Sequence, residues 1–185
     1  MSADELVAIY DPDDDDGRVV GSAPRSQVRA RNLPHAATAV LLTDAHGRIY
    51  VHQRTDTKDV YPGTWDAWAG GVVRAGEDPN EAAARELTEE LGVHDISLEP
   101  LFTAWFRDDR IHELAVAFVA RWEGPERHGP IVHQPEEVAR GEWLTLTAVR
   151  DLMADPGRPM IPDGRAALER YLTERAARGT AEGGR

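Results

Sequence analysis

The chain contains no cysteine, which removes disulfides, thiolate metal sites and a cysteine nucleophile from consideration. That leaves the redox compartment open, with a lean towards the cytosol. Long apolar runs are missing too: no stretch approaches the roughly 18 residues of a membrane span. The acidic start, MSADELVAIYDPDDDDG, lacks the basic-then-apolar order of a targeting segment. A cytoplasmic protein without membrane attachment is the expectation. Basic charge is scarce, with 21 Lys and Arg against 33 Asp and Glu and a net charge of -12. Such a surface repels nucleic-acid polymers and acidic membranes, so a polyanionic ligand needs a local basic patch or a bridging cation. Lys58 is the single lysine, a skew more in keeping with genomic composition than with chemistry.

What is present suits one compact domain: 185 residues, 41% hydrophobic and 29% charged, without internal repeats. Residues 5–22 read as a hairpin, two short β-rich runs around the turn PDDDDG. The four aspartates do not make an EF-hand loop, because counting back from Gly17 puts Pro12 at the first ligand position and Ala23 where the closing glutamate belongs. A short helix is expected over 24–32, then a hairpin of AATAVLLTD and RIYVHQR, a loop over 55–64, and one strand in WDAWAGGVV. Further strands are expected at 98–106, 113–122 and GEWLTL, and helices at TAVRDLMA and after Pro162. This mixture lacks the regular alternation of a doubly wound fold, so the expected class is α/β, a mixed sheet between helices. The domain is expected to cover 1–177, with 178–185 a disordered tail.

The segment GGVVRAGEDPNEAAARELTEELGV, from Gly70 to Val93, concentrates acidic side chains on one helix. Asp78 is a suitable N-cap, Pro79 suits the first helical position, Glu81 stands as in a capping box, and Gly92 ends the helix. At about 100° per residue, Ala83, Ala84, Leu87 and Leu91 form an apolar face, and Glu86, Glu89 and Glu90 gather beside it with Ala82 leaving room. Like charges one turn apart repel unless a cation sits between them, and carboxylate oxygens are the ligands that magnesium and manganese prefer. Arg85 reaches Glu89 at i+4 and can orient it. A solvated amphipathic helix would explain the helix taken alone.

The wider spacing is more specific. Gly71, five residues, Glu77, seven residues and then Arg85-Glu86-Leu87-Thr88-Glu89-Glu90-Leu91-Gly92-Val93 resemble the Nudix box at every position. The resemblance implies a Nudix fold, an α-β-α sandwich whose glutamates hold Mg2+, or Mn2+, against a diphosphate. It points to Glu86, Glu89, Glu90 and the Gly71 carbonyl as metal ligands. Some members add a glutamate four residues before Gly-Glu-Trp, which here is Glu137, with Glu136 a close rival. Glu89 and Glu137 are the candidate general bases. From residue 5 to about 150 the chain also looks like the Nudix subgroup related to isopentenyl diphosphate isomerase. Ala69 stands where that isomerase carries its cysteine, so hydrolysis is the expected chemistry.

Substrate contacts are read less directly. Arg54 and Lys58 suit phosphate oxygens, although pairing with Asp56 or Asp59 would also explain them. Trp65, Trp68 and Trp105 are candidates for stacking on a nucleobase, against the core role that tryptophans in strands more often take, and Trp68 is the one carried forward as a substrate contact. Arg107, Arg110 and His112 are candidates for the cleft mouth, while His35 reads as structural. The expected ligand is a small diphosphate such as a nucleoside diphosphate, and the expected assembly a monomer or homodimer.

Overall fold

A computed structural model of the chain describes residues 4–14 and 17–182. Asp15 and Asp16 of the acidic turn lie outside the described residues, as do 183–185. Strands β1 (Leu6–Tyr10) and β2 (Val19–Pro24) form the expected hairpin and lead into α1 (Arg25–Arg31). The centre of the sheet is β3 (His35–Asp44), followed by β4 (Ile49–Arg54), β5 (Trp65–Asp66) and β6 (Trp68–Ala69). Helix α2 (Pro79–Leu91) precedes β7 (Leu98–Arg107), β8 (His112–Trp122), α3 (Pro125–His128), β9 (Val138–Leu144), α4 (Leu146–Ala154) and α5 (Pro162–Glu182). Helix α5 therefore continues past the boundary expected at residue 177, and the rest of the tail lies outside the described residues.

The sheet is mixed because β3 and β8 run parallel from His35↔Glu113 to Asp44↔Trp122, while β1, β4 and β6 pair with β3 antiparallel. Strand β7 pairs with β8, and β9 with β4. Alternation along β3 divides the core. Val40 and Leu42 pack with Ala83, Leu87 and Leu91 of α2, whereas Leu41 packs with Val149 and Leu152 of α4 and Leu168 of α5. Helices thus cover both faces, the α/β sandwich expected.

Two local expectations are corrected. The run WDAWAGGVV is not one strand: β5 pairs with β4 and β6 with β3. The Asp66 carboxylate accepts the Trp68 N–H at 3.1 Å, a side-chain bond that turns the chain from one strand to the next. At the start of α2, Asp78 caps the Asn80 N–H at 2.8 Å, one amide short of the capping-box position.

The hairpin and α1 are built into the fold. Val7, Val28 and Val72 form one buried cluster, and the Ala75 N–H donates to the Leu6 carbonyl at 2.9 Å. The amino-terminal segment therefore packs directly on the chain that carries Gly71 towards α2.

Candidate active site

Helix α2 buries Ala82, Ala83, Glu86, Leu87, Glu90 and Leu91. Projected at 100° per residue, these span roughly half the helix circumference with both glutamates inside the span. The acidic patch is therefore part of the buried face, not beside it. Ala82 is fully buried against Ala8, Ala36 and Val73, so it leaves no space above the helix, and Ala84 is exposed. Leu87 and Leu91 anchor the helix so firmly in the core that Glu86 and Glu90 are carried down to 4% and 6% exposure.

Glycines make room for these carboxylates. A Cβ at Gly71 would stand 2.6 Å from the Glu86 carboxyl carbon, so only glycine lets that carboxylate lie against the chain. The Gly70 N–H donates to Glu90 Oε2 at 3.2 Å. The Gly71 carbonyl accepts the Thr38 N–H at 2.8 Å, which fixes its position beside β3. Arg85 serves other partners than Glu89 alone. Its Nε and Nη2 hold Glu77 at 2.8 and 3.0 Å, its Nη1 holds Glu86 at 2.5 Å, and Glu89 is 3.6 Å away. Glu89 is the exposed member of the trio, with 42% of its side chain accessible.

Opposite α2, the loop after β4 meets the entrance to β9. Thr55 ties the two through its N–H to the Glu137 carbonyl at 3.0 Å and its Oγ1 to the Glu136 carbonyl at 2.8 Å. This brings the Lys58 ammonium onto the Glu137 carboxylate, a partner other than Asp56 or Asp59. The Gln134 N–H donates to the Glu90 carbonyl at 3.0 Å, so the same loop grips the end of α2. Burial pushes the Glu90 carboxyl upward, with Glu86 adding to the effect and Lys58 opposing it. Burial also raises Glu86, against the pull of Arg85, and lowers Lys58.

These groups line one cleft, with Glu86, Glu89 and Glu90 contributed by α2, Glu137 by the facing loop, and Arg54 and Lys58 among its basic residues. Two candidates fare differently. Trp68 forms part of the wall but is only 4% exposed, its indole N–H bound to the Gly164 carbonyl at 2.9 Å, so it presents no face for stacking. Arg107 is exposed at the end of β7, opposite His112, and does not line the cleft. Its partner His112 precedes Glu113, which does line the cleft, so Arg107 stands one register position outside it. Arg110 stacks on Tyr61, and His35 is buried with its Nδ1 2.9 Å from the Leu33 carbonyl, the structural role expected.

The cleft also holds groups that the sequence did not single out. Asp66 of β5, Glu113 of β8 and Asp163 of α5 meet on its floor, and Arg25 and Arg29 enter from α1. Burial lifts the Asp66 carboxyl to about 7, with Asp163 contributing, and raises Glu113 and Asp163 as well. Glu113 alone carried a signal, an acid at the head of an otherwise apolar strand. The others converge only through tertiary structure.

Among the described residues, no three carboxylates and imidazoles stand together at metal-holding spacing; Arg85 engages Glu86, Lys58 engages Glu137 and the Gly70 N–H engages Glu90. The donor chemistry nevertheless fits a hard divalent cation. Two buried carboxyls one turn apart, both raised by desolvation and by a neighbouring glutamate, lie beside a glycine that clears space for one of them. A model of the NUDIX domain matches residues 33–164. The chain belongs to the Nudix hydrolase family. It is 41% identical over 179 residues to an uncharacterized Nudix hydrolase of Rhodococcus erythropolis, covering 91% of this chain and 92% of that one. A second uncharacterized Nudix hydrolase, from Streptomyces coelicolor, is 36% identical over 187 residues, covering 96% and 94%. Among solved structures, DR0079 from Deinococcus radiodurans superposes with a TM-score of 0.72 at 23% identity, covering 90% of this chain and 98% of that one. The NUDIX domain of Shewanella oneidensis NrtR, complexed with ADP ribose, superposes with a TM-score of 0.59 at 20% identity, covering 75% and 86%. For this Nudix chain, none of its described helices is long and apolar enough to cross a membrane.

Proposed function

We propose that the chain hydrolyses a diphosphate linkage in a nucleoside diphosphate or a nucleoside diphosphate carrying a further group. The observation that carries this reading is the burial of Glu86 and Glu90, one turn apart beside Gly71, in a cleft that also contains Arg54 and Lys58. Among the described residues, Glu86 is paired with Arg85 and the Glu90 carboxylate accepts only the Gly70 N–H, and both line a cleft that a ligand can enter. The nucleotide part of the reading is supported by the ADP-ribose complex of the NrtR domain.

Glu86, Glu90 and Glu89 would hold Mg2+, or Mn2+ in its place; the Gly71 carbonyl already accepts the Thr38 N–H at 2.8 Å and the Thr38 Oγ1 hydroxyl at 3.3 Å, so it is engaged with β3. When bound, the ion neutralises phosphate oxygens and makes water more acidic. Arg54 and Lys58 would orient the diphosphate by donating to its oxygens. Glu89 is the better-placed general base: it is half-exposed at the cleft and Arg85 stays 3.6 Å from it, whereas Glu137 is occupied by Lys58. Glu137 then positions Lys58. Isomerase chemistry through a thiol is excluded because Ala69 is buried and the chain has no cysteine.

The test is phosphate release, with a coupled phosphatase where needed, from nucleoside diphosphates, nucleotide sugars and dinucleotides in the presence of Mg2+. Release by wild type and its loss in Glu90→Gln are expected. No release across the panel by folded wild type, or undiminished release by the variant, contradicts the reading. Replacing Glu89 by Gln should reduce kcat by roughly 100-fold or more.

A further inference from the structure

Arg25 and Arg29 lie before residue 33, where the Nudix match begins, yet both reach the cleft. Four residues apart, they share one side of α1 with Val28, and the burial of Val28 against Val7 and Val72 turns that side inward. The helix is fixed at its end: Asn32 adopts φ 48, its N–H reaches the Arg29 carbonyl, and its Nδ2 donates to the Asp108 carbonyl at 2.8 Å. The two guanidinium groups are therefore delivered by packing.

Their donors are underused. The Nε atoms of Arg25, Arg29 and Arg54 are all inaccessible to solvent and make no hydrogen bond among the described residues. The acid facing the first two is Asp59, whose carboxylate is 3.8 Å from Arg25 and 3.7 Å from Arg29, beyond hydrogen-bond length, and half-exposed. Buried donors left unmade are costly, and because the same guanidinium groups line the cleft, with 20% of the Arg25 and 26% of the Arg29 side chain accessible, a ligand rich in acceptors can engage them through their exposed atoms. Arg54 and Lys58 link this basic region to the acidic one, since each interacts electrostatically with Glu90 and with Arg25 or Arg29.

We propose that Arg25, Arg29 and Arg54 form a binding site for a free terminal phosphoryl group, so that the preferred substrates are diphosphates with an uncapped end. The proposal rests on the hydrolase reading for its consequence in turnover, while the binding site can be tested without turnover. A free terminal phosphate carries about -1.5 to -2 charge and three acceptor oxygens, matching several forked donors. Capping that end, as in a nucleotide sugar, removes charge and an acceptor. Asp59 holds the arginines in place until the phosphate takes over their donors.

The experiment compares ADP with ADP-ribose, which differ at the terminal phosphate, by calorimetric titration in EDTA so that no hydrolysis intervenes. Wild type should bind ADP at least tenfold more tightly than ADP-ribose. The double variant Arg25→Gln, Arg29→Gln should lose that preference by weakening ADP alone, with Arg29→Gln as a milder replacement should the double variant not fold. Arg31→Gln, which removes a charge from the exposed side of α1, should leave the preference intact. Equal affinity of wild type for the two nucleotides, no binding of either, or a preference that survives in the variants overturns the proposal. Intact ADP preference with no turnover of any diphosphate would instead contradict the hydrolase reading alone.

Discussion

Glu90→Gln should stabilise the protein in EDTA while removing its response to Mg2+. Glu90 is 6% exposed, and burial together with Glu86 raises its carboxyl, with Lys58 opposing. A carboxyl raised in the folded state keeps its proton there, so its contribution to stability is full below the unfolded pKa and is lost as pH rises through the folded value. That window runs from the ordinary carboxyl value of 4.5 to about 8. At pH 9 the wild type therefore bears the cost of an ionised buried carboxylate. At about 1.4 kcal/mol per pKa unit, reduced because Lys58 loses a neighbouring charge, the variant should gain about 2 kcal/mol. Glutamine retains an oxygen for the Gly70 N–H, and the change in volume is slight. For a chain of this size the gain is worth roughly 4–8 °C in melting temperature. It should disappear by pH 4. Mg2+ at about 100 times its dissociation constant should stabilise wild type by about 2.7 kcal/mol and the variant far less. Differential scanning calorimetry at pH 4 and 9, with EDTA and with Mg2+, reads both effects. A lower melting temperature for the variant at pH 9 in EDTA, or an undiminished Mg2+ response, would refute the reasoning.

Other changes should separate stability from the site. Gly71→Ala places a Cβ 2.6 Å from the Glu86 carboxyl carbon, so turnover should fall roughly 10–100-fold as the carboxylate swings away, with little change in melting temperature. Asp66→Asn should stabilise the chain at pH 8 by on the order of 2–4 kcal/mol, because the buried carboxyl, raised to about 7, is then ionised; urea unfolding should show the gain vanishing as pH falls below the unfolded value near 3.8. Val28→Ala removes two buried methyl groups and should cost about 2 kcal/mol in the same assay, since Val28 ties α1 to the sheet.

Much of the architecture was legible because local chemistry announced it. Helix α2 has its cap, its first-turn proline and its terminal glycine in sequence, and the alternation of β3 matches the two faces it divides. The split between β5 and β6 was not legible, because it depends on the Asp66 carboxylate taking the Trp68 N–H, a competition that hydrophobic pattern does not encode. The face of α2 was misplaced for a related reason. Apolar pattern alone does not define the buried arc, because burial of Leu87 and Leu91 carries Glu86 and Glu90 down with them and leaves Ala84 outside. Arg54, Lys58 and Glu137 all line the cleft, but the pairing of Lys58 with Glu137 comes from the Thr55 bonds between two distant loops and has no sequence signal. Trp68 was absorbed by the core and Arg107 by the far end of an edge strand. The contributions of Arg25, Arg29, Glu113 and Asp163 come from three separate elements, α1, β8 and α5, and no spacing along the chain records their convergence.

Diffraction from crystals soaked in MnCl2, recorded with anomalous signal, measures the central point most directly. The account predicts a manganese peak roughly 2.2 Å from carboxylate oxygens of both Glu86 and Glu90, displacing Arg85 from Glu86. Difference density that leaves Arg85 on Glu86, with no manganese beside either buried glutamate, would contradict it.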